Sequence, residues 1–175
     1  MTAVAEARRT ARMAETDYDM PATIADLFLY SAEKFDRSDA LSHKHGEEWR
    51  RISSSEIIDR SEKIALGLHS LGLVKGDRVA ILAANSPNWT LTDAGCQFGG
   101  VIDVPIYTTL ACDSVEYILR DSAAKAIFLQ DKATYERIAD AIKANPTLET
   151  IIFFDKVEVA NSISLGELEL RGENL

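Results

Sequence analysis

The chain has 175 residues, of which 46% are hydrophobic and 27% are charged, and its formal net charge is −9. This composition is typical of a globular protein and excludes a fibrous or disordered chain. The negative charge disfavours nucleic acid as a partner, because the phosphates would repel it. Two cysteines, Cys96 and Cys112, make no disulfide framework, and no apolar run reaches the roughly 18 residues of a membrane span. We therefore expect a cytoplasmic protein without a transmembrane segment, and attachment to a membrane surface is left open.

The first residues mix basic and acidic side chains and contain no apolar signal core. An organelle-targeting peptide is normally poor in acidic residues, so residues 1–17 are predicted to form a flexible leader. The folded part is expected over residues 18–175. Its first helix is predicted to begin at the capping pair Thr23 and Asp26. Residues 40–52 are predicted to form a small hairpin.

The strongest helix signal lies between residues 54 and 71. Ser53 and Glu56 have the spacing of a capping box at its start. Apolar residues then recur at helical spacing, and Gly72 followed by Leu73 predicts a Schellman-type stop.

After this helix the sequence changes to short, almost continuous apolar runs, as expected of strands buried on both faces. Strand and helix then alternate with short links, which predicts parallel strands joined by right-handed crossovers. The fold class is therefore α/β, with three layers: a largely parallel sheet between helices, and a small N-terminal hairpin. Beyond Asp155 the pattern weakens, and Ser164–Leu170 predicts a short helix at most. The predicted strands are residues 77–84, 101–106, 125–130 and 150–155.

The link after the first strand of this sheet is predicted to start a helix at Pro87, with Ser86 as its N-cap. Gly95 and Gly99 are expected to let this helix lie close to the sheet. Asn85 and Ser86 would stand at the carboxyl edge of the sheet, where ligands bind in open α/β folds. Capping is the preferred interpretation, because one cap accounts for both residues.

Several motifs that carry chemistry are absent. The sequence contains no GxGxxG, GxxxxGK[ST], GxSxG or HExxH pattern. It therefore has no evident nucleotide site of its own, and no catalytic, cofactor-binding or metal-binding residue is assigned. His43 and His45 would project to one side of a strand, as two metal ligands do, but a third ligand is not visible. Solvated strand residues are the preferred interpretation.

Tyr107, Thr108 and Thr109 follow a predicted strand at the same edge of the sheet. Their hydroxyl groups could line a ligand cleft, or the segment could form a turn that satisfies its own backbone groups. The residues alone favour the turn.

Two segments carry a resemblance to a known family. GDRVAILAANSPNW (residues 76–89) and GCQFGGVIDVPIYTTL (residues 95–110) resemble the N-terminal region of AMP-forming acyl-CoA synthetases of the long-chain fatty acid–CoA ligase type, in the adenylate-forming superfamily. Further blocks follow in the family's order, so the resemblance covers roughly residues 20–156. Thr108 departs from the family pattern, which often has proline there.

The resemblance implies a two-step reaction. A fatty acid and ATP give acyl-AMP and pyrophosphate, and coenzyme A then displaces AMP. The resemblance also implies that the full-length parent uses ATP, Mg²⁺ and coenzyme A as cofactors. The family's phosphate loop, magnesium-binding Glu, ribose-binding Asp and catalytic Lys have no matching position here, so residues 18–175 are interpreted as part of an AMP-binding (adenylation) domain, truncated before the phosphate loop. The chain alone is expected to bind none of these cofactors and to be inactive, and Tyr107, Thr108 and Thr109 are the candidates for the substrate cleft.

Two alternatives stay open. The parent is another adenylate-forming enzyme, such as an aryl-CoA ligase or a peptide-synthetase adenylation domain, or the chain is a non-catalytic α/β binding module if Leu175 is the natural C-terminus. Contact with small-molecule substrates is expected through the remainder of the parent. Without that remainder, part of the sheet or a helix face would be uncovered, so marginal stability or self-association is expected. The opposing expectation is that 175 residues close a core on their own.

Overall fold

The computed structural model describes residues 21–175, so the predicted leader over residues 1–17 lies outside the described residues. Within the described part, none of the helices combines the length and the apolar character needed to cross a bilayer. The elements are α1 Ile24–Phe35, β1 Leu41–His45, β2 Glu48–Ile52, α2 Ser54–Ser70, β3 Arg78–Leu82, α3 Pro87–Gly99, β4 Ile102–Pro105, α4 Cys112–Ser122, β5 Ala126–Leu129, α5 Lys132–Lys143, β6 Thr150–Phe153, β7 Ser162–Ser164 and α6 Leu165–Glu173.

The central sheet has five parallel strands in the order β4-β3-β5-β6-β7. Its first four strands in chain order confirm the four predicted ones, and β3 lies inside the sheet as expected of a run buried on both faces. The predicted hairpin is also confirmed: β1 and β2 pair antiparallel, and Gly46 has a φ of 62° at the turn between them. The fifth strand, β7, was not predicted, because its three residues, two of them serine, are too few to show the apolar pattern of a strand.

Two apolar clusters lie on opposite faces of the sheet. Consecutive residues of β3 contribute to them alternately, Val79 and Ile81 to the first cluster and Ala80 and Leu82 to the second. Residues of α2, α3 and α6 complete the first cluster, and residues of α4 and α5 complete the second. This alternation is what a strand covered by helices on both faces requires, and it confirms the three-layer α/β class.

The two ends of α2 follow the sequence signals. The Glu56 N–H donates to Ser53 Oγ at 3.1 Å at the start of the helix. At the end, the Gly72 N–H donates to His69 O at 2.9 Å and the Leu73 N–H donates to Leu68 O at 3.2 Å, which is the bond pair of a Schellman motif. Fully reciprocal capping boxes are found at α1 and α6. At α2 the structure shows the Ser53 half of the predicted capping box.

Helix α6 corrects the expectation that the structure fades after Asp155. It has nine residues, begins with a complete capping box between Ser164 and Glu167, and packs along α2. The two helices approach so closely that a Cβ on Gly172 would lie 1.9 Å from the Lys63 carbonyl oxygen. A Cβ on Gly67 would lie 2.3 Å from Leu168 O. Backbone therefore packs against backbone at this interface.

Helix α3 also packs closely, but its glycines Gly95 and Gly99 face α2 and not the sheet as expected. A Cβ on Gly95 would lie 2.5 Å from Ile64 Cγ2, and one on Gly99 would lie 3.7 Å from Ala65 Cβ. The glycines thus set a helix–helix distance. Helix α2 is consequently in close contact with α3 on one side and with α6 on the other.

The amino edge of the sheet is held by a buried carboxylate. Asp77 Oδ1 lies 2.9 Å from Lys125 Nζ, and Asp77 Oδ2 accepts from the Val74 N–H at 2.9 Å. The Lys125 ammonium and then the Val74 N–H hold the pKa of Asp77 below its ordinary value near 3.8. This residue ties the turn before β3 to the start of β5.

We expect Gly172→Ala to destabilise the chain by about 1–3 kcal/mol, because the added methyl group must displace the backbone of α2. Urea unfolding followed by circular dichroism measures the effect. Gly166→Ala is the matched control in the same helix, since nothing lies within 4 Å of its Cβ position. It should leave stability unchanged or raise it by up to about 1 kcal/mol. Equal effects of the two substitutions would contradict the close α2–α6 contact.

We expect Asp77→Asn to reduce the free energy of unfolding at pH 7, because it removes the ion pair with Lys125. The loss should be only about 1–2 kcal/mol, because solvent around Lys125 weakens that pair. The folded pKa of Asp77 lies below the unfolded one, so its stabilisation is complete above the unfolded pKa and is lost as the pH falls through the folded value. The difference between wild type and variant should therefore shrink below about pH 4. Asp140→Asn, at a side chain that is 93% exposed, is the control and should change little at either pH.

Candidate functional site at the carboxyl edge of the sheet

The strand order creates one topological switch point. The chain leaves β3 through α3, on the first face of the sheet, and leaves the neighbouring β5 through α5, on the opposite face. The carboxyl ends of β3 and β5 therefore border the crevice where ligands bind in open α/β sheets.

This crevice is bridged by the protein's own side chains. The Ala84 N–H, after β3, donates to Gln130 Oε1, after β5, at 3.0 Å. Gln130 Nε2 donates to Asp131 Oδ2 at 3.3 Å, and Asp131 Oδ1 accepts from the Thr134 N–H at 2.8 Å. The bonds from the Thr134 N–H and hydroxyl lower the pKa of Asp131, which stays ionised. A negative charge at this point disfavours a phosphate group.

The segment Asn85-Ser86-Pro87 acts as a helix start. Ser86 is the N-cap of α3 and its Oγ accepts from the Trp89 N–H at 3.3 Å, while Pro87 occupies the first turn. Asn85 is exposed beside it. Capping, the preferred interpretation, is thus confirmed for Ser86.

Tyr107, Thr108 and Thr109 are exposed at the carboxyl end of β4, with Tyr107 81% exposed. The Leu110 N–H donates to Tyr107 O at 3.2 Å, so the backbone forms the turn that the residues favour. A second feature of this loop was not predicted. The guanidinium of Arg137, from α5, donates to Thr108 O at 2.9 Å and to Leu110 O at 2.7 Å.

The two histidines of β1 differ in environment. His45 is exposed, as predicted, but His43 is only partly exposed, and its Nδ1 is buried without a hydrogen-bond partner. Within residues 21–175 no group of three or more histidine, cysteine or acidic side chains could hold a metal ion. The solvent exposure expected of both residues is therefore found for His45 but only in part for His43.

Two carboxylates near the open edge of the sheet were also not singled out from the sequence. Gln97 Nε2 donates to Asp103 Oδ1 at 3.1 Å and to Asp93 Oδ1 at 3.4 Å. Burial, and then the charge of Asp103, raises the pKa of Asp93. Cys96 beside them is fully buried, and burial raises the pKa of its thiol far above the neutral range. The thiol is therefore not a nucleophile.

Comparison with known proteins identifies the class. The chain matches the family described as AMP-binding enzyme over residues 28–173, and it belongs to this family. Long-chain-fatty-acid–CoA ligase ACSBG1 of Rattus norvegicus is 29% identical over 177 residues, which cover 99% of this chain and 24% of the relative. ACSBG1 of Homo sapiens is 30% identical over 176 residues, with 98% and 24% covered. The chain thus spans about a quarter of the length of these relatives.

Solved structures show the same fold. The adenylation domain of a carboxylate reductase from Mycobacterium chelonae superposes with a TM-score of 0.75 at 20% identity, covering 100% of this chain and 36% of that one. A putative long-chain-fatty-acid CoA ligase from Rhodopseudomonas palustris CGA009 superposes with a TM-score of 0.71 at 21% identity, covering 83% and 36%. The predicted resemblance to adenylate-forming enzymes is confirmed.

Proposed function

We propose that the chain is the N-terminal part of an ATP-dependent fatty acyl-CoA ligase, which converts a fatty acid, ATP and coenzyme A to acyl-CoA, AMP and pyrophosphate through acyl-AMP. The observation that carries this proposal is the similarity to long-chain-fatty-acid–CoA ligases along nearly the whole chain but only a quarter of each relative. Residues 18–175 would then be one portion of the AMP-binding domain, and residues 1–17 would be a leader. The free cysteines Cys96 and Cys112 support a cytoplasmic location.

The described residues do not fit the cofactors of this reaction. The switch-point crevice is bridged by Gln130 and carries the ionised Asp131, and residues 21–175 contain no cluster of metal ligands. We therefore assign the holding of ATP, Mg²⁺ and coenzyme A to parts of the parent protein other than these residues. The contribution proposed for this segment is one wall of the substrate cleft, at Tyr107, Thr108 and Thr109, whose side chains are exposed at the carboxyl edge.

The proposal is tested by pyrophosphate exchange with ATP, Mg²⁺ and fatty acids of medium and long chain. The purified 175-residue chain should stay at background, and the protein expressed from the complete reading frame should exchange pyrophosphate and form acyl-CoA. Benzoate in place of the fatty acid is the control for an aryl-CoA ligase. Exchange by the isolated chain would contradict the assignment of the phosphate site, and a complete protein that prefers benzoate would contradict the substrate class.

We also propose that the isolated chain self-associates through α1. Ile24, Leu27 and Phe35 lie on one side of this helix and are 50–61% exposed. The open edge at β4 is a poorer contact, because Pro105 lacks an N–H and two copies would bring Asp103 carboxylates together.

Sedimentation velocity over a range of concentrations should reveal dimers or larger species that Leu27→Glu shifts towards monomer. Leu170→Glu, at a leucine that is 57% exposed on α6, is the matched control and should leave the distribution unchanged. A wild-type chain that sediments as a monomer at every concentration would refute self-association.

A further inference from the structure

The loop between β4 and α4 is fixed at both of its ends. Ile106 is buried in the second apolar cluster, and Leu110 packs against the same cluster. Between them Tyr107, Thr108 and Thr109 extend into solvent. Two anchors, the buried Ile106 and the partly buried Leu110, with three exposed residues between them form a short protruding turn. The Tyr107 carbonyl accepts from the Leu110 N–H within the turn, and the Thr108 and Leu110 carbonyls accept from outside it.

Arg137, on helix α5, donates hydrogen bonds to the Thr108 and Leu110 carbonyl groups. Its Nη2 donates to Thr108 O at 2.9 Å and its Nη1 donates to Leu110 O at 2.7 Å, across 29 and 27 residues of sequence. The planar guanidinium presents these donors in a fixed fork, so the two bonds set the orientation of the turn as well as its position. The link joins the loop after β4 to the helix after β5.

The other cations of α5 behave differently. Lys132 pairs with Glu136 and Lys143 pairs with Asp140, each within one turn of the same helix. Arg137 instead donates its hydrogen bonds to residues outside α5, at Thr108 O and Leu110 O. The hydrogen bonds of Arg137 therefore stabilise the loop after β4 and not its own helix.

We propose that Arg137 is a positioning residue that holds the Tyr107–Leu110 loop in the orientation used for substrate. This inference rests on the proposed cleft at Tyr107, Thr108 and Thr109. Arg137 contacts only backbone carbonyls of the loop, so it acts through the loop and not on the reacting atoms. Its removal should affect how well substrate is bound more than how fast bound substrate reacts.

The bracing is measured first in the 175-residue chain by amide hydrogen exchange. In Arg137→Ala the Leu110 N–H, which closes the turn onto Tyr107 O, should exchange about tenfold faster, because the loop loses two solvent-exposed hydrogen bonds to a charged donor. Arg137→Lys should recover part of the protection, because an ammonium can reach one carbonyl but cannot form the fork. Arg120→Ala is the control: Arg120 is an exposed arginine on α4 that pairs with Glu116 in its own helix, and its loss should leave Leu110 exchange unchanged. Unchanged exchange in Arg137→Ala would overturn the proposal.

The consequence for substrate is measured in the protein from the complete reading frame. Arg137→Ala should raise the KM for the fatty acid about tenfold with little change in kcat, and Arg137→Lys should lie between it and wild type. An unchanged KM despite faster loop exchange would overturn the positioning role while leaving the ligase proposal intact. A wild-type protein without ligase activity would instead defeat the proposed function, and hydrogen exchange alone would then decide whether Arg137 braces the loop.

Discussion

The structure depends on the close approach of α2 to its two neighbouring helices. Glycines at 67, 95 and 172 remove the side chains that would separate the backbones. The contact with α6 joins α2 to a helix far along the chain, and Arg60 pairs with Glu169 across 109 positions at 2.8 Å beside it. Because the first face of the sheet is covered only when these helices are in place, the interface determines whether β3, β5 and β6 are buried on that side.

This constraint also explains what the sequence could and could not predict. Elements whose signal is a run or period of large apolar residues were predicted well: α2 was right to within one residue at its end, and β3 to within two residues at each end. Helix α6 was undervalued, because its contact with α2 is made by Gly172 and Gly67, and glycine contributes nothing to a hydrophobic period. The target of Gly95 was misassigned for the same reason: a glycine predicts a close approach but not the partner that approaches.

The candidate site shows a similar division. The capping role of Ser86 follows from residue types at a fixed local spacing, and the structure agrees with it. Arg137 could not be assigned in this way, because an exposed arginine on an amphipathic helix predicts only a solvated face.

The arrangement of the carboxyl edge determines how this segment can meet a ligand. A ligand in the switch-point crevice would have to break the bond between Ala84 and Gln130 and approach the ionised Asp131. Both requirements cost free energy, and an anionic phosphate would meet the larger cost. The loop after β4 imposes neither, because Tyr107, Thr108 and Thr109 are exposed and their backbone is already ordered. Under the proposed function, this sheet would serve as a rigid support, and the loop held by Arg137 would be the part that touches substrate.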